Sequence, residues 1–98
     1  MPTAPALTES QIQEGLKNLR GWELKEGAIV KLYKFKDFKG ALGFVNRVAD
    51  LAEEADHHPD ILIRYNKVTL TLVTHSAGGL TEKDFRLAHE VDTSENPT

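Results

Sequence analysis

The sequence predicts an α+β domain of two layers, in which three helices cover one face of a four-stranded antiparallel sheet. Two segments have the pattern of β-hairpins, an amphipathic helix lies between them, and capping motifs open a further helix on either side. The predicted order is therefore αββαββα. A chain of 98 residues fits a single domain over residues 1–98, and we expect mobile tails at 1–7 and 92–98.

The first helix follows a capping box, TESQ at residues 8–11. Apolar residues then recur at helical spacing, so we expect the helix to span residues 9–19 and Gly21 to end it. The next segment, WELKEGAIVKLYKF, has short apolar runs on both sides of Glu26-Gly27, which predicts a hairpin. Apolar residues occupy both faces of its second strand, so the pattern leaves the buried face open.

The middle helix has the clearest helical periodicity, and Asp37 is its predicted N-cap. We expect its apolar stripe to face the core, and Phe44 and Leu51 widen the stripe toward a second contact such as a partner subunit. Because Pro59 disfavours helical geometry at His58, the helix should end just before the histidine pair. The predicted stripe consists of Phe38, Ala41, Leu42, Val45, Val48, Ala49 and Ala52.

The second predicted hairpin is DILIRY-NK-VTLTLVTH, with Asn66-Lys67 as its two-residue turn. In its second strand, residues 68, 70 and 72 form the core face by the period of two, and His75 projects from the opposite, more polar face. TEKD at residues 81–84 then opens a last helix that we expect to run to about Glu90.

Composition argues against several classes of function, with a local basic patch left open. The net charge is −3 and the chain has no cysteine, whereas nucleic-acid and anionic-membrane binders need a basic surface. Without cysteine there is no disulfide, thiolate nucleophile or cysteine-ligated zinc. The first residues lack the pattern of a signal peptide, and no segment approaches the roughly 18 apolar residues of a membrane span. We expect a cytoplasmic protein with neither a nucleic-acid nor a membrane partner.

Three of the four histidines flank the second hairpin. In an antiparallel pair, the chain enters at His57-His58 and leaves at His75 from the same end of the sheet, so the three imidazoles should converge. Imidazoles titrate near neutrality, which suits general acid-base catalysis. Glu53 precedes His57 by four residues and reaches it if the helix continues that far, and a carboxylate there would favour the protonated ring.

Other interpretations of these residues stay open. A histidine pair on a turn often consists of surface residues without a function. Asp84 completes a capping box with Thr81 as readily as it serves catalysis. We interpret His89 as a surface residue. Histidines with acidic residues also suit zinc or iron, but adjacent histidines diverge and neither H-x-H nor H-x-x-x-H occurs. We therefore expect acid-base use and no metal.

Several motifs occur together and in order: FKDF at residues 35–38, GFVNRVA at 43–49, YNKV at 65–68 and GLTEKD at 79–84. The spacing E-x3-H-H-P-x5-Y-x9-H-x8-D also runs from Glu53 to Asp84. With these motifs the chain resembles the pterin-4a-carbinolamine dehydratase family, from the first helix to about residue 88.

The resemblance implies a four-stranded antiparallel sheet with three helices, in homodimers or homotetramers. It implies dehydration of 4a-hydroxytetrahydropterin to quinonoid dihydropterin, with no metal and no bound cofactor. The family's active-site histidines fall on His57, His58 and His75. We expect supporting or substrate-binding roles for Glu53, Asp56, Ile61, Thr74 and Asp84.

The chemistry needs an acid for the departing hydroxide while the N5 proton leaves. We expect His57 and His75 to handle the hydroxyl and its proton, in roles that could be exchanged, and His58 to hold the pterin. Glu53 would tune His57, and Asp84 would orient an imidazole or the helix start. Ile61 stands where the family usually has tryptophan, so the pterin loses an aromatic contact worth about 1 kcal/mol.

A second hypothesis is an interaction protein, since animal members of the family also serve as dimerisation cofactors of a homeodomain transcription factor. A third is a pterin binder in another pathway. Neither has a specific signal in this sequence.

Overall fold

The computed structural model describes residues 5–95 and confirms the predicted order and the two-layer α+β fold. The sheet is antiparallel throughout, with strand order β1-β2-β4-β3. No helix within these residues is both long and apolar enough to cross a membrane. The elements are α1 (Glu9–Lys17), β1 (Glu23–Lys25), β2 (Ala28–Lys34), α2 (Phe38–Ala55), β3 (Asp60–Arg64), β4 (Lys67–Leu72), a 3₁₀ turn (His75–Ala77) and α3 (Glu82–Glu95).

The first third of the chain follows the sequence pattern. The capping box at the start of α1 is present, although the helix ends at Lys17, two residues before the predicted end. The hairpin turn is at Glu26-Gly27, where both residues have positive φ, 51° and 82°. A left-handed backbone is easy for glycine, and two such residues in a row match the twist of a two-residue hairpin.

The second hairpin turns one residue earlier than predicted. Arg64 pairs directly with Lys67, so the turn is Tyr65-Asn66 and the predicted turn at Asn66-Lys67 was wrong. Asn66 is held beside Phe35, because its backbone oxygen accepts from the Phe35 N–H at 2.8 Å and its Nδ2 donates to the Phe35 oxygen at 2.9 Å. The core face of β4 is as predicted, with residues 68, 70 and 72 buried.

The buried face of α2 is rotated from the predicted one. Phe44 is fully buried, whereas Phe38 and Leu42 are 47% and 36% exposed. The ring of Phe44 packs on Tyr33 and Phe35, with centroids 4.6 and 4.9 Å apart, and these aromatic rings determine which side of the helix faces the sheet. The predicted core positions of Phe38 and Leu42 were therefore wrong, and Phe44, expected only to widen the stripe, belongs to the buried face. Residues 41, 44, 48 and 52 are the buried ones of α2.

Helix α3 continues to Glu95, beyond the predicted end near residue 90. Residues 92–95 of the predicted tail are thus helical, and residues 1–4 and 96–98 of the two tails lie outside the described residues. Asp92 joins this last part of α3 to the first hairpin. Its carboxylate accepts from Trp22 Nε1 at 2.9 Å, Lys31 Nζ at 3.0 Å and the Tyr33 hydroxyl at 2.5 Å.

Candidate active site

The end of α2 positions the histidine pair. Asp56 follows the helix in a left-handed conformation with φ 50°, which aspartate adopts more readily than most residues. The N–H of His57 then donates to the carbonyl of Ala52 at 3.1 Å, which closes the helix end. This turn directs His57 inward, where its side chain is 11% exposed. The side chain of Asp56 is exposed, and its backbone makes this turn.

His57 is paired with Asp84 from the first turn of α3. The Nε2 atom of the ring lies 2.5 Å from Oδ1 of Asp84, and that carboxylate is fully buried. An ionised carboxylate can only accept, so Nε2 of His57 carries a hydrogen and Nδ1 is the ring nitrogen left for a substrate. The carboxylate thus sets both the orientation and the tautomer of the imidazole.

The second carboxylate oxygen of Asp84 also accepts hydrogen bonds. Its Oδ2 accepts from the hydroxyl of Thr74 at 2.8 Å and from the backbone N–H of Thr81 at 3.0 Å. Asp84 is the third residue of α3, where the positive end of the helix dipole stabilises a negative charge. Asp84 therefore makes a helix-capping contact with the Thr81 N–H and a contact with an imidazole at the same time.

Glu53 contacts the other histidine of the pair. Its Oε2 lies 2.6 Å from Nε2 of His58, and the two side chains are 76% and 57% exposed. The prediction that Glu53 would tune His57 was wrong. That prediction assumed a continuous helix, but α2 ends at Ala55 and the left-handed residue rotates His57 away from the face that carries Glu53.

His75 does not lie on β4 as predicted. The strand ends at Leu72, and His75 is the exposed first residue of the 3₁₀ turn. This turn is closed by a bridge between Thr74 and Gly79, whose backbone groups exchange hydrogen bonds of 3.1 and 3.3 Å. Since Thr74 also binds Asp84, His57 and the chain next to His75 are held by the same buried polar cluster.

Ile61 and Thr81 differ in burial. Ile61 lies on β3 opposite Leu70, so it is on the helix-covered side of the sheet, but its side chain is still partly open at the sheet edge. Thr81 was expected only to open α3, yet it is buried against Thr74 with 2.8 Å between their hydroxyl oxygens. Its position three residues before Asp84 in TEKD was the signal for its contact with that carboxylate.

Within residues 5–95, no group of three or more histidine, aspartate or glutamate side chains is arranged to hold a metal ion. Each of the two adjacent histidines instead contacts one carboxylate, His57 that of Asp84 and His58 that of Glu53. Such carboxylate-imidazole pairs can hold and move protons at a bound molecule.

The chain matches, over residues 5–94, a family model described as pterin 4 alpha carbinolamine dehydratase. A protein of Thermomicrobium roseum is 54% identical over 85 residues, covering 87% of this chain and 91% of its own. A protein of Sulfurisphaera tokodaii is 48% identical over 86 residues, covering 88% and 92%. Both are named as candidate pterin-4-alpha-carbinolamine dehydratases.

Solved structures with this fold include a transcriptional coactivator/pterin dehydratase from Brucella melitensis. It superposes with a TM-score of 0.86 at 43% identity and covers 90% of this chain and 96% of its own. A second structure, a pterin dehydratase-like protein identified as a RuBisCO assembly factor of the alpha-carboxysome, has a TM-score of 0.63 at 24% identity, over 79% of this chain and 89% of its own. At that identity the second likeness concerns the fold alone.

Proposed function

The chain belongs to the pterin-4a-carbinolamine dehydratase family, and on this premise we propose that it dehydrates a 4a-hydroxytetrahydropterin by histidine general acid-base catalysis. The observation that carries the proposal is the buried pair of His57 and Asp84, in which a fully buried carboxylate holds an imidazole in one orientation. Such a pair costs stability unless every partner is in place. Because His58 follows His57 and Thr74 joins Asp84 to the segment that carries His75, the pair favours a catalytic role.

The reaction needs one proton delivered and one removed. The C4a–O bond breaks, the hydroxyl leaves as water after accepting a proton, and the N5 proton departs as the C4a–N5 double bond forms. The products are the quinonoid dihydropterin and water, and the step involves no oxidation or reduction. His57 and His75 handle the hydroxyl and its proton, and because both are imidazoles their two roles can be exchanged.

The remaining residues support substrate binding in this proposal. His58 is exposed and paired with Glu53, so it can contact the pterin and the charge that develops on it. Ile61 offers an apolar surface at the sheet edge for the pterin ring. Thr74 and Asp84 do not contact the substrate, because both side chains are buried, and they act by holding the histidines.

The test is the dehydration rate of freshly generated 4a-hydroxytetrahydropterin with purified protein in a metal chelator. We expect acceleration that survives the chelator and falls by about 100-fold in His57→Ala and in His75→Ala, within the usual range for a lost general acid or base. His89→Ala is the matched control, because His89 is an exposed histidine of α3 away from the described pairs. A folded protein that gives no acceleration, or an equal loss in His89→Ala, would refute the proposal.

A second candidate function is protein interaction, favoured by the exposed apolar surface of α2 at Phe38 and Leu42. The related Brucella structure carries the name of a transcriptional coactivator as well as of a dehydratase. If interaction is the main role, substitutions at Phe38 and Leu42 will abolish the cellular phenotype while histidine substitutions leave it unchanged.

We also propose a cytoplasmic homodimer or homotetramer, since a domain of this size gains burial by association. Sedimentation equilibrium of the purified chain measures its oligomeric state directly. A monomer at micromolar concentration would exclude this part of the proposal.

A further inference from the structure

Two threonine hydroxyls form a buried pair at the base of the site. Thr74 and Thr81 are 5% and 1% exposed, and their Oγ1 atoms lie 2.8 Å apart. They flank the segment that carries His75, because Thr74 precedes it and Thr81 follows the loop that the Thr74–Gly79 bridge closes. A buried hydroxyl pair is stable only if each hydroxyl hydrogen has an acceptor.

The number of hydrogens sets the direction of this contact. Each hydroxyl has a single hydrogen, and that of Thr74 is donated to Oδ2 of Asp84 at 2.8 Å. The hydrogen between the two threonines must therefore come from Thr81. In turn, Thr81 Oγ1 accepts from the backbone N–H of Lys83 at 3.2 Å. The hydrogen bonds run in one direction, from Lys83 through Thr81 and Thr74 to Asp84.

Two hydrogen bonds to the Asp84 carboxylate consequently depend on Thr81. The Thr81 N–H donates to Oδ2 directly, and the Thr81 hydroxyl orients the Thr74 hydroxyl that donates to the same oxygen. Two fixed donors on Oδ2 hold the carboxylate plane, and this directs Oδ1 at Nε2 of His57. Hydrogen bonds in a buried chain also polarise one another, so losing one weakens the others.

From this geometry we infer that Thr81 is a positioning residue for His57 and for the turn that carries His75, acting through Thr74 and Asp84. The inference rests on the proposed function and deepens it, since it assigns to the helix-capping threonine the task of orienting the acid-base pair. Thr81 itself is buried beneath these groups and acts on the reaction only through them.

The test uses Thr81→Val, which keeps the shape and the backbone N–H but removes the hydroxyl. We expect kcat for dehydration to fall by about 10- to 100-fold with KM within about twofold, because a misplaced imidazole affects the chemical step more than binding. In the wild type, the ¹⁵N chemical shifts of the His57 ring should indicate a single tautomer with hydrogen on Nε2. In Thr81→Val they should move toward the averaged values of a mixture of tautomers. Thr81→Ser, which restores a hydroxyl, should recover both the rate and the shifts.

A matched control separates positioning from stability. Thr8→Val removes the N-cap hydroxyl of α1, which accepts from the Gln11 N–H at 3.2 Å and lies outside the site. It should lower the thermal midpoint without changing kcat or the His57 shifts. If Thr81→Val unfolds the protein, Thr81→Ala is the second variant without a hydroxyl.

Two outcomes would overturn the inference. One is a Thr81→Val protein with unchanged His57 shifts and kcat, and the other is a Thr81→Ser protein as impaired as Thr81→Val. If the wild-type protein gives no dehydration, the proposed function has failed on its own. The ring shifts of His57 then still decide whether Thr81 orients that imidazole.

Discussion

Nε2 of His57 lies 2.5 Å from Oδ1 of Asp84, and the two residues are 27 positions apart in the chain. The contact joins the end of α2 to the first turn of α3, so it is a tertiary connection as well as part of the site. Among the residues that the structure describes, His57, Thr74 and Thr81 supply the hydrogen-bond contacts to this buried carboxylate. Removing one donor would leave a buried charge partly uncompensated, which is costly.

Asp84→Asn tests what the negative charge contributes. An amide whose oxygen keeps the contacts with Thr74 and Thr81 turns its NH₂ toward His57 and forces Nε2 to become an acceptor. We expect the fold to persist and the dehydration rate to fall by about 100-fold or more, since the wrong tautomer is selected. The rate and the ¹⁵N shifts of His57 are the measurements, with Asp50→Asn on exposed α2 surface as the control. A rate unchanged by Asp84→Asn would contradict the assignment.

Glu53→Gln should weaken pterin binding and leave the stability of the fold almost unchanged. Both members of the Glu53–His58 pair are largely exposed, and exposed ion pairs contribute less than about 1 kcal/mol. We expect the free energy of unfolding to change by less than about 0.5 kcal/mol, while KM for the pterin rises. Urea denaturation and steady-state kinetics measure the two effects. Glu54→Gln, at the adjacent exposed position, is the control and should leave KM unchanged.

Ile61→Trp should strengthen pterin binding. The side chain lies at the open edge of the helix-covered sheet face, so a larger ring can be accommodated there. A flat aromatic contact is worth about 1 kcal/mol, which corresponds to about a fivefold lower Kd. Equilibrium binding of a non-reactive reduced pterin measures this, with Ile61→Leu as the apolar control. Equal affinities of the tryptophan and leucine variants would place the pterin ring away from Ile61.

Asp92→Ala should destabilise the fold without affecting the chemistry. Its carboxylate accepts from Trp22, Lys31 and Tyr33, and removing it takes this acceptor from the part-buried Trp22 and Lys31 donors. We expect a loss of about 2–3 kcal/mol in the free energy of unfolding. At a temperature where the variant is folded, kcat should equal that of the wild type. Thr93→Ala, at the next and exposed position of α3, should change neither quantity.

Phe44→Ala and Phe38→Ala compare the two faces of α2 with the same substitution. Phe44 is fully buried against Tyr33 and Phe35, so its removal should cost about 3–5 kcal/mol. Phe38 is about half exposed, so Phe38→Ala should cost less than about 1 kcal/mol in the folded monomer. Chemical denaturation measures both losses. Similar losses at the two positions would mean that Phe38 is also buried, for example in an oligomer.

The errors in the predicted fold have a common origin. Apolar residues cover more than half the circumference of α2, so periodicity predicted a helix but could not choose between the faces of Phe38 and Phe44. The rings of Tyr33 on β2 and of Phe35, the residue just after that strand, made that choice. Likewise, Asn66 suits several turn positions, and its contacts with Phe35 from the other hairpin determined which residues form the turn.

The sequence by itself determined the order of elements, the caps, the core face of β4 and the set of histidines and acids, because these depend on spacing and on local backbone preference. Only the tertiary structure decided which acid meets which histidine. Along the chain Glu53 is the neighbour of both His57 and His58, and Asp84 is distant from all three histidines of the predicted site. The left-handed turn at Asp56 and the meeting of α2 with α3 assign Asp84 to His57 and Glu53 to His58, since hydrogen bonds require contact in space.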